Sequence, residues 1–374
     1  MFNKVVIAVN PNLNIFIGDN DSGKSTILEA IQILLTGKLN NISFERQLKA
    51  SLFNHEIREK FKEKIRNSSK YDDELPSIIL EAYFTDDGLH SEYKGTNNEL
   101  GIDCPGVRLV VEFNSDYSEV FKEMIKNKEI NDIPIEFYKV TWRDFSGNPI
   151  IFRSFPINVS VIDTTQKDYD AAVNRFINSR ITNYLLEEEK LELARAYRKL
   201  RSDFNSNQNV QRLNQRLYSM EKLNDKTVKF GMPEQTVDAW MSEVSIDVDN
   251  IPFENLGFGT QNMIKIELVF KQSKEKSDVV LFEEPENNLA FGNMSKLISR
   301  ISSDEAKQIF ITTHSSFVAN KLGLKNIFLL HKGNVRQLSS IQDETMNFFK
   351  KLPGYNTVRF LLAEKVILVE GPPD

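Results

Sequence analysis

Four short stretches of this 374-residue sequence place polar and charged side chains at spacings that do chemistry. The first is Gly18-Asp19-Asn20-Asp21-Ser22-Gly23-Lys24-Ser25, which matches the pattern G-x-x-x-x-G-K-[ST] in full. Its glycines let successive backbone N–H groups, including those around Asn20, Ser22, Gly23 and Thr26, turn toward one phosphate. The helix that must follow aims its positive N-terminal end at the same place. Lys24 would reach the β- and γ-phosphates of a nucleoside triphosphate, and the Ser25 hydroxyl would ligate Mg²⁺.

The second stretch, Val279-Val280-Leu281-Phe282-Glu283-Glu284-Pro285, is an apolar strand that ends in two acids. Ligands of open α/β sheets bind at the carboxyl edge of the strands, so both acids fall where a nucleotide would lie. Glu283 is read as the Mg²⁺ partner. Glu284 is read as the group that orients the attacking water. The third stretch, Thr312-Thr313-His314-Ser315, again follows an apolar strand, and His314 there can hydrogen-bond a γ-phosphate. The fourth, Leu256-Gly257-Phe258-Gly259-Thr260-Gln261, precedes an apolar helix and forms another anion-binding helix start. It stands about 20 residues before the acidic strand, so it does not belong to the phosphate loop of the same chain.

These stretches need elements to hold them. The run LNIFI (13–17) predicts a strand leading into the phosphate loop, and the apolar periodicity from Ser25 to Leu35 predicts the helix that follows. Runs at 77–85, 107–113, 133–142 and 157–163 predict a mostly antiparallel β set. From about 168 to 223 the sequence turns to charged helix. One apolar stripe runs over Phe176, Ile177, Ile181, Tyr184 and Leu185, and another over Leu213, Leu217 and Met220, with a turn at 202–210. Buried strands at 278–284 and 308–313 and a last strand at 366–370 restore the α/β character. The nucleotide-binding part is therefore expected in two pieces, 1–167 and 224–360. A helical insertion with unpaired apolar stripes that suit dimerisation, 168–223, lies between them, and residues 361–374 follow with the last strand.

Bulk composition is that of a folded globular chain, 40% hydrophobic and 27% charged. The formal net charge is −6, which speaks against recognition of nucleic acid through the overall field. Local basic stretches remain: residues 190–222 carry eight Lys/Arg against three Asp/Glu, and 55–70 carry six against three. A single cysteine, Cys104, leaves no internal disulfide. No apolar run approaches the ~20 residues of a membrane span, and the N-terminus lacks a signal-peptide pattern, so a cytoplasmic location without membrane attachment is expected.

The four stretches, in this order, resemble the ABC ATPase heads of Rad50, SMC and RecF proteins. Glu283-Glu284-Pro285-Glu286-Asn287-Asn288-Leu289, Thr312 to Phe317, and Leu362 to Gly371 (LAEKVILVEG) look like the OLD family of nucleases, which includes the Gabija nuclease subunit. The family often has a histidine after Glu-Pro-Glu; here Asn287 and Asn288 stand there. The resemblance implies an α/β P-loop ATPase head with an antiparallel β subdomain and an inserted helical dimerisation region, binding ATP and Mg²⁺. It implies that Leu256, Gly257, Gly259, Thr260 and Gln261 act in trans across a homodimer or higher assembly, and that His314 senses the γ-phosphate. Glu370 would be the first metal ligand of a TOPRIM nuclease domain that this sequence leaves unfinished. DNA is the expected substrate, in antiphage defence. The alternatives are a repair ATPase without its own nuclease, and a nucleotide-gated scaffold controlling a helicase, a reverse transcriptase or a toxin.

Overall fold

The computed structural model describes residues 2–40, 42–67, 75–85, 91–152, 154–163, 185–219, 228–232, 246–271, 277–287, 289, 291–303 and 307–338. The chain divides into two compact units, one of Met1–Thr165 with Ser273–Asp374 and one of Gln166–Gln272. The first opens on β1 (Leu13–Gly18), in which Ile15, Phe16 and Ile17 are wholly buried. Such a strand is apolar on both faces because it lies inside a sheet covered on both sides. Helix α1 (Lys24–Thr36) follows the phosphate loop. Gly23 enters it at φ +102° and Gly37 ends it at φ +67°, where the Gly37 N–H reaches the Ile33 carbonyl. Both backbone positions are costly for any residue with a Cβ.

A small hairpin of β2 (Lys38–Leu39) and β3 (Ile42–Ser43) leads to helix α2 (His55–Asn67). Strands β4 (Ile78–Tyr83), β5 (Lys94–Gly95), β6 (Cys104–Phe113) and β7 (Tyr138–Asp144) then form an antiparallel sheet, with helix α3 (Ser118–Lys126) between β6 and β7 in the chain. β6 pairs with each of the other three. The runs at 77–85, 107–113 and 133–142 thus make the expected antiparallel subdomain, although 135–137 is a 3₁₀ turn and the last strand starts at Tyr138.

The run at 157–163 behaves differently. It forms β8 (Ile157–Asp163), which pairs parallel with the acidic strand from Ile157 opposite Ser277 to Asp163 opposite Glu283. The expectation that it belongs with the antiparallel set is corrected. Its alternation (INVSVID) reports a half-buried strand, and alternation carries no information on direction.

The second unit contains helices α4 (Glu187–Ser206) and α5 (Gln208–Ser219), separated by Asn207 alone. The turn expected at 202–210 is that short because Asn207 leaves the helical region (ψ 135°) and its side-chain oxygen accepts the Asn209 N–H at 2.9 Å. The stripe from Phe176 to Leu185 and Met220 lie outside the described residues. Leu213 and Leu217 are half-buried, whereas Leu193, Leu200 and Phe204 of α4 are exposed and, at spacings of 7 and 4, share one face. A two-residue turn at Asp249 and Asn250, both at positive φ, joins β9 (Asp247–Val248) to β10 (Ile251–Pro252), as a tight hairpin of L residues requires. Helix α6 (Phe258–Lys271) follows, with Phe253 buried against Leu256, Ile264 and Leu268.

The first unit resumes with β11 (Ser277–Glu283), α7 (Phe291–Ser303), β12 (Lys307–Thr313), α8 (Ser316–Leu322), β13 (Ile327–His331) and β14 (Asn334–Gln337). The main sheet runs β14-β13-β1-β12-β11-β8, parallel except for the β13–β14 hairpin. Sequence patterning does not single out β13 and β14. The ring of Phe16 stacks on that of Phe310 and packs tilted against that of Phe328, so that three neighbouring strands meet in the core. The predicted strand 366–370, with Glu370, lies outside the described residues.

Candidate nucleotide site

Register places the chemistry at one edge of the sheet. Ile17 is opposite Thr313, and Glu283 is opposite Thr312, so β1, β12 and β11 all end together. The phosphate loop, the Thr313–Ser315 segment and the acidic pair leave from these three ends.

The loop turns through Asp21 at φ +60° and Gly23. A Cβ on Gly18 would lie 2.7 Å from the Leu330 carbonyl oxygen and 2.4 Å from the Ser22 Oγ, so only glycine fits between β13 and the loop. Lys24 is buried and folds back, donating from Nζ to the Gly18 and Asp19 carbonyls at 2.9 Å each. Burial lowers its pKa from the usual lysine value, opposed by the negative charges of Glu284, Asp19, Asp21 and Glu286. Asn20 and Thr26 are exposed beside it. The Ser25 hydroxyl donates to Glu283 Oε1, which joins the loop to the acidic strand.

Glu284 takes a left-handed conformation, φ +43°, directly before Pro285. Its N–H donates to the Thr312 carbonyl at 3.0 Å, and its carbonyl accepts the Asn287 N–H at 2.9 Å, closing a turn over 284–287. That turn presents the Glu284 carboxylate to two partners. Asn287 Nδ2 donates to Oε2 at 2.7 Å, and His314 Nε2 lies 3.2 Å from Oε1. Glu283, Glu284, His314 and Ser25 are thus brought together. Two further neighbours of the site lie within the 283–289 motif but have no role assigned from the sequence. Asn287 bonds to the Glu284 carboxylate, and Glu286 bonds to Thr313, His314 and Ser315.

The fourth stretch, Leu256–Gln261, lies in the second unit. Gly257 precedes α6, and Gly259 and Thr260 sit in its first turn; Gly257 and Thr260 are exposed. A Cβ on Gly257 would meet nothing within 4 Å. Gln261 is buried, and its side-chain amide donates to the carbonyls of Phe253 and Leu256 at 3.0 Å each. In this structure that amide shapes the turn from which α6 starts.

The residues fit a nucleotide with Mg²⁺. Ser22 Oγ is buried in the loop and has no hydrogen-bond partner among the described residues, as a group left for a phosphate oxygen would be. Ser25 and Glu283 offer a hydroxyl and a carboxylate oxygen, the hard donors Mg²⁺ takes alongside substrate phosphates. Among the described residues there is no cluster of three or more His, Cys, Asp or Glu side chains that could hold a metal alone.

A largely parallel sheet carrying a phosphate loop, an acidic strand end and His314 at one edge defines an α/β P-loop nucleotide-binding protein. The sequence matches the AAA ATPase domain family over residues 1–319, and the chain belongs to that family. Among solved structures it is similar to the SMC head bound to the C-winged helix domain of ScpA, at 14% identity over 89% of this chain and 92% of that one, with a TM-score of 0.42. The SMC head domain from Thermotoga maritima is 14% identical over 90% and 94%, with a TM-score of 0.36. RecF with ATP is 13% identical over 87% and 92%, with a TM-score of 0.39. No curated protein matches the sequence significantly. No helix among the described residues is long and apolar enough to cross a membrane.

Proposed function

We propose that this chain hydrolyses ATP, with Glu284 orienting the attacking water, and that it is the ABC-type ATPase portion of an OLD-type DNA endonuclease in antiphage defence. The observation that carries the ATPase reading is the convergence of Lys24, Ser25, Glu283, Glu284 and His314 at the ends of three adjacent strands. In this reading the loop N–H groups and Lys24 bind the phosphates. Lys24 leaves the Gly18 and Asp19 carbonyls to do so. Ser25 and Glu283 would hold Mg²⁺, which would supply neutralisation of the phosphate charge. Glu284 accepts a hydrogen bond from the water, and His314, beside it, contacts the γ-phosphate.

The signature from Leu256 to Gln261 would complete the γ-phosphate site of a second copy, which makes a homodimer the working form. The nuclease reading is supported by the motif resemblance at 283–289, 312–317 and 362–371, with Glu370 as a TOPRIM metal ligand. DNA as a partner is further supported by a concavity of about 710 Å³ on the hairpin of α4 and α5. Its lining has four cations, Arg195, Arg198, Lys199 and Arg201, and one acid, Asp203. A groove of that charge suits a phosphate backbone.

Phosphate release from ATP by the chain in the presence of Mg²⁺ tests the ATPase reading. Lys24→Ala should weaken nucleotide binding and abolish turnover. A Lys24→Ala protein that binds and hydrolyses ATP like the unmodified chain would remove the phosphate loop from the mechanism.

A further inference from the structure

The turn over 284–287 carries two acids, and the ATPase reading uses only the first. Glu286 points at the Thr313–Ser315 segment instead. Its Oε1 accepts from the Thr313 hydroxyl at 2.6 Å, from the His314 backbone N–H at 2.8 Å and from the Ser315 backbone N–H at 3.1 Å. All three donors belong to consecutive residues, and the Ser315 N–H is shared between this oxygen, which has two lone pairs, and the Thr313 hydroxyl oxygen. The other oxygen, Oε2, is buried with no hydrogen-bond partner among the described residues. Burial of an unmet carboxylate oxygen is unfavourable, so the three bonds on Oε1 must outweigh it.

We propose that Glu286 is a positioning residue that fixes the backbone of Thr313–Ser315 so that the His314 ring meets Glu284 and the γ-phosphate. The proposal rests on the ATPase reading and adds a residue to it. One rigid turn holds the histidine at two points: Glu286 takes its backbone, and Glu284 lies 3.2 Å from its ring nitrogen. Pro285, between the two acids, limits the freedom of the turn. On the far side, Ser315 passes the constraint on, since its hydroxyl accepts the Val318 N–H at 3.4 Å and starts α8. Thr313, itself wholly buried, serves twice, donating to Glu286 and accepting the Ser315 N–H at 2.9 Å. Without Glu286 the His314 N–H loses its acceptor, and the segment is free to move the ring by the ~1 Å that costs a positioned catalytic group about 10²-fold.

The test is a double-mutant cycle read by steady-state ATP turnover and nucleotide affinity. Glu286→Ala should lower kcat about 10- to 100-fold with KM and nucleotide affinity within about threefold. Glu286→Gln, which keeps an oxygen able to accept the three donors, should recover most of the loss. In a His314→Ala background, Glu286→Ala should cost nothing further, because the group it positions is gone. Unchanged kcat in Glu286→Ala overturns the proposal, and so does an equal loss with and without His314. If Glu286→Ala does not fold, Thr313→Val decides: a loss of about 3- to 10-fold in kcat supports the clamp, and unchanged turnover overturns it. Silence of the unmodified chain toward ATP would sink the ATPase reading and the clamp together, whereas an active chain indifferent to Glu286 sinks the clamp alone.

Discussion

Glu284 is held in a backbone conformation that a non-glycine residue adopts at a cost of about 1–3 kcal/mol. The strain is offset by hydrogen bonds from its N–H to Thr312 and from Asn287 to its carbonyl, and its effect is to turn the carboxylate toward His314. Asn287 should therefore matter as an orienting group. Asn287→Ala is expected to lower kcat by about tenfold while ATP affinity stays unchanged, which a nucleotide-binding titration beside a turnover assay would check. Unaltered kcat would show that the 2.7 Å bond from Asn287 to Glu284 contributes nothing to catalysis. Gly18 to Ser25 and the pair Glu283–Glu284 are legible in the sequence because a phosphate and its metal demand fixed residue types at fixed spacing. Asn287 and Glu286 are not, because Glu286 works on residues 27 to 29 positions away and Asn287 works through a turn that depends on an unusual φ. Such partners are a property of register between β11 and β12, which no local pattern states.

At the scale of elements, the site depends on how closely the phosphate loop approaches β13. The Gly18 position leaves no room for a methyl group beside the Leu330 carbonyl. Gly18→Ala should accordingly weaken nucleotide binding by at least about tenfold and lower Tm, since a backbone carbonyl cannot yield as a flexible side chain can. Wild-type affinity and Tm in that variant would contradict the close packing of β1 against β13. β1, β11 and β12 are legible as near-continuous apolar runs, the mark of strands buried on both faces. The direction and sheet of β8 are not, because period-2 alternation is the same for an edge strand of either sense. β13 and β14 are missed for a related reason. IFLLH and NVRQ are short, and the signal between them, Lys332 and Gly333 at positive φ, is only two residues long.

For the whole molecule, a nucleotide site completed in trans requires two copies of the chain. The helical hairpin offers one surface for their association. The sequence points to Leu213 and Leu217, but in the structure these are half-buried and the exposed apolar face belongs to Leu193, Leu200 and Phe204. Helical periodicity marks the Leu213–Leu217 stripe as apolar and cannot show whether the hairpin covers it. Leu193→Glu with Leu200→Glu should shift the protein from dimer to monomer by light scattering at micromolar concentration. A dimer unaffected by both would place the interface elsewhere. The basic concavity near Arg195, Arg198 and Lys199 should be separable from catalysis. Replacing these three with Ala should weaken duplex binding while DNA-free ATP turnover persists. The slope of log K against log salt should shrink by about one for each phosphate that a replaced cation had neutralised. The role of Glu284 in orienting the attacking water is tested most directly by a single comparison: turnover and ATP affinity of the unmodified chain and of Glu284→Gln at saturating ATP and Mg²⁺. Glu284→Gln is expected to bind ATP as tightly as the unmodified chain and to hydrolyse it about 10²- to 10⁴-fold more slowly. Hydrolysis by Glu284→Gln at the unmodified rate would contradict that role.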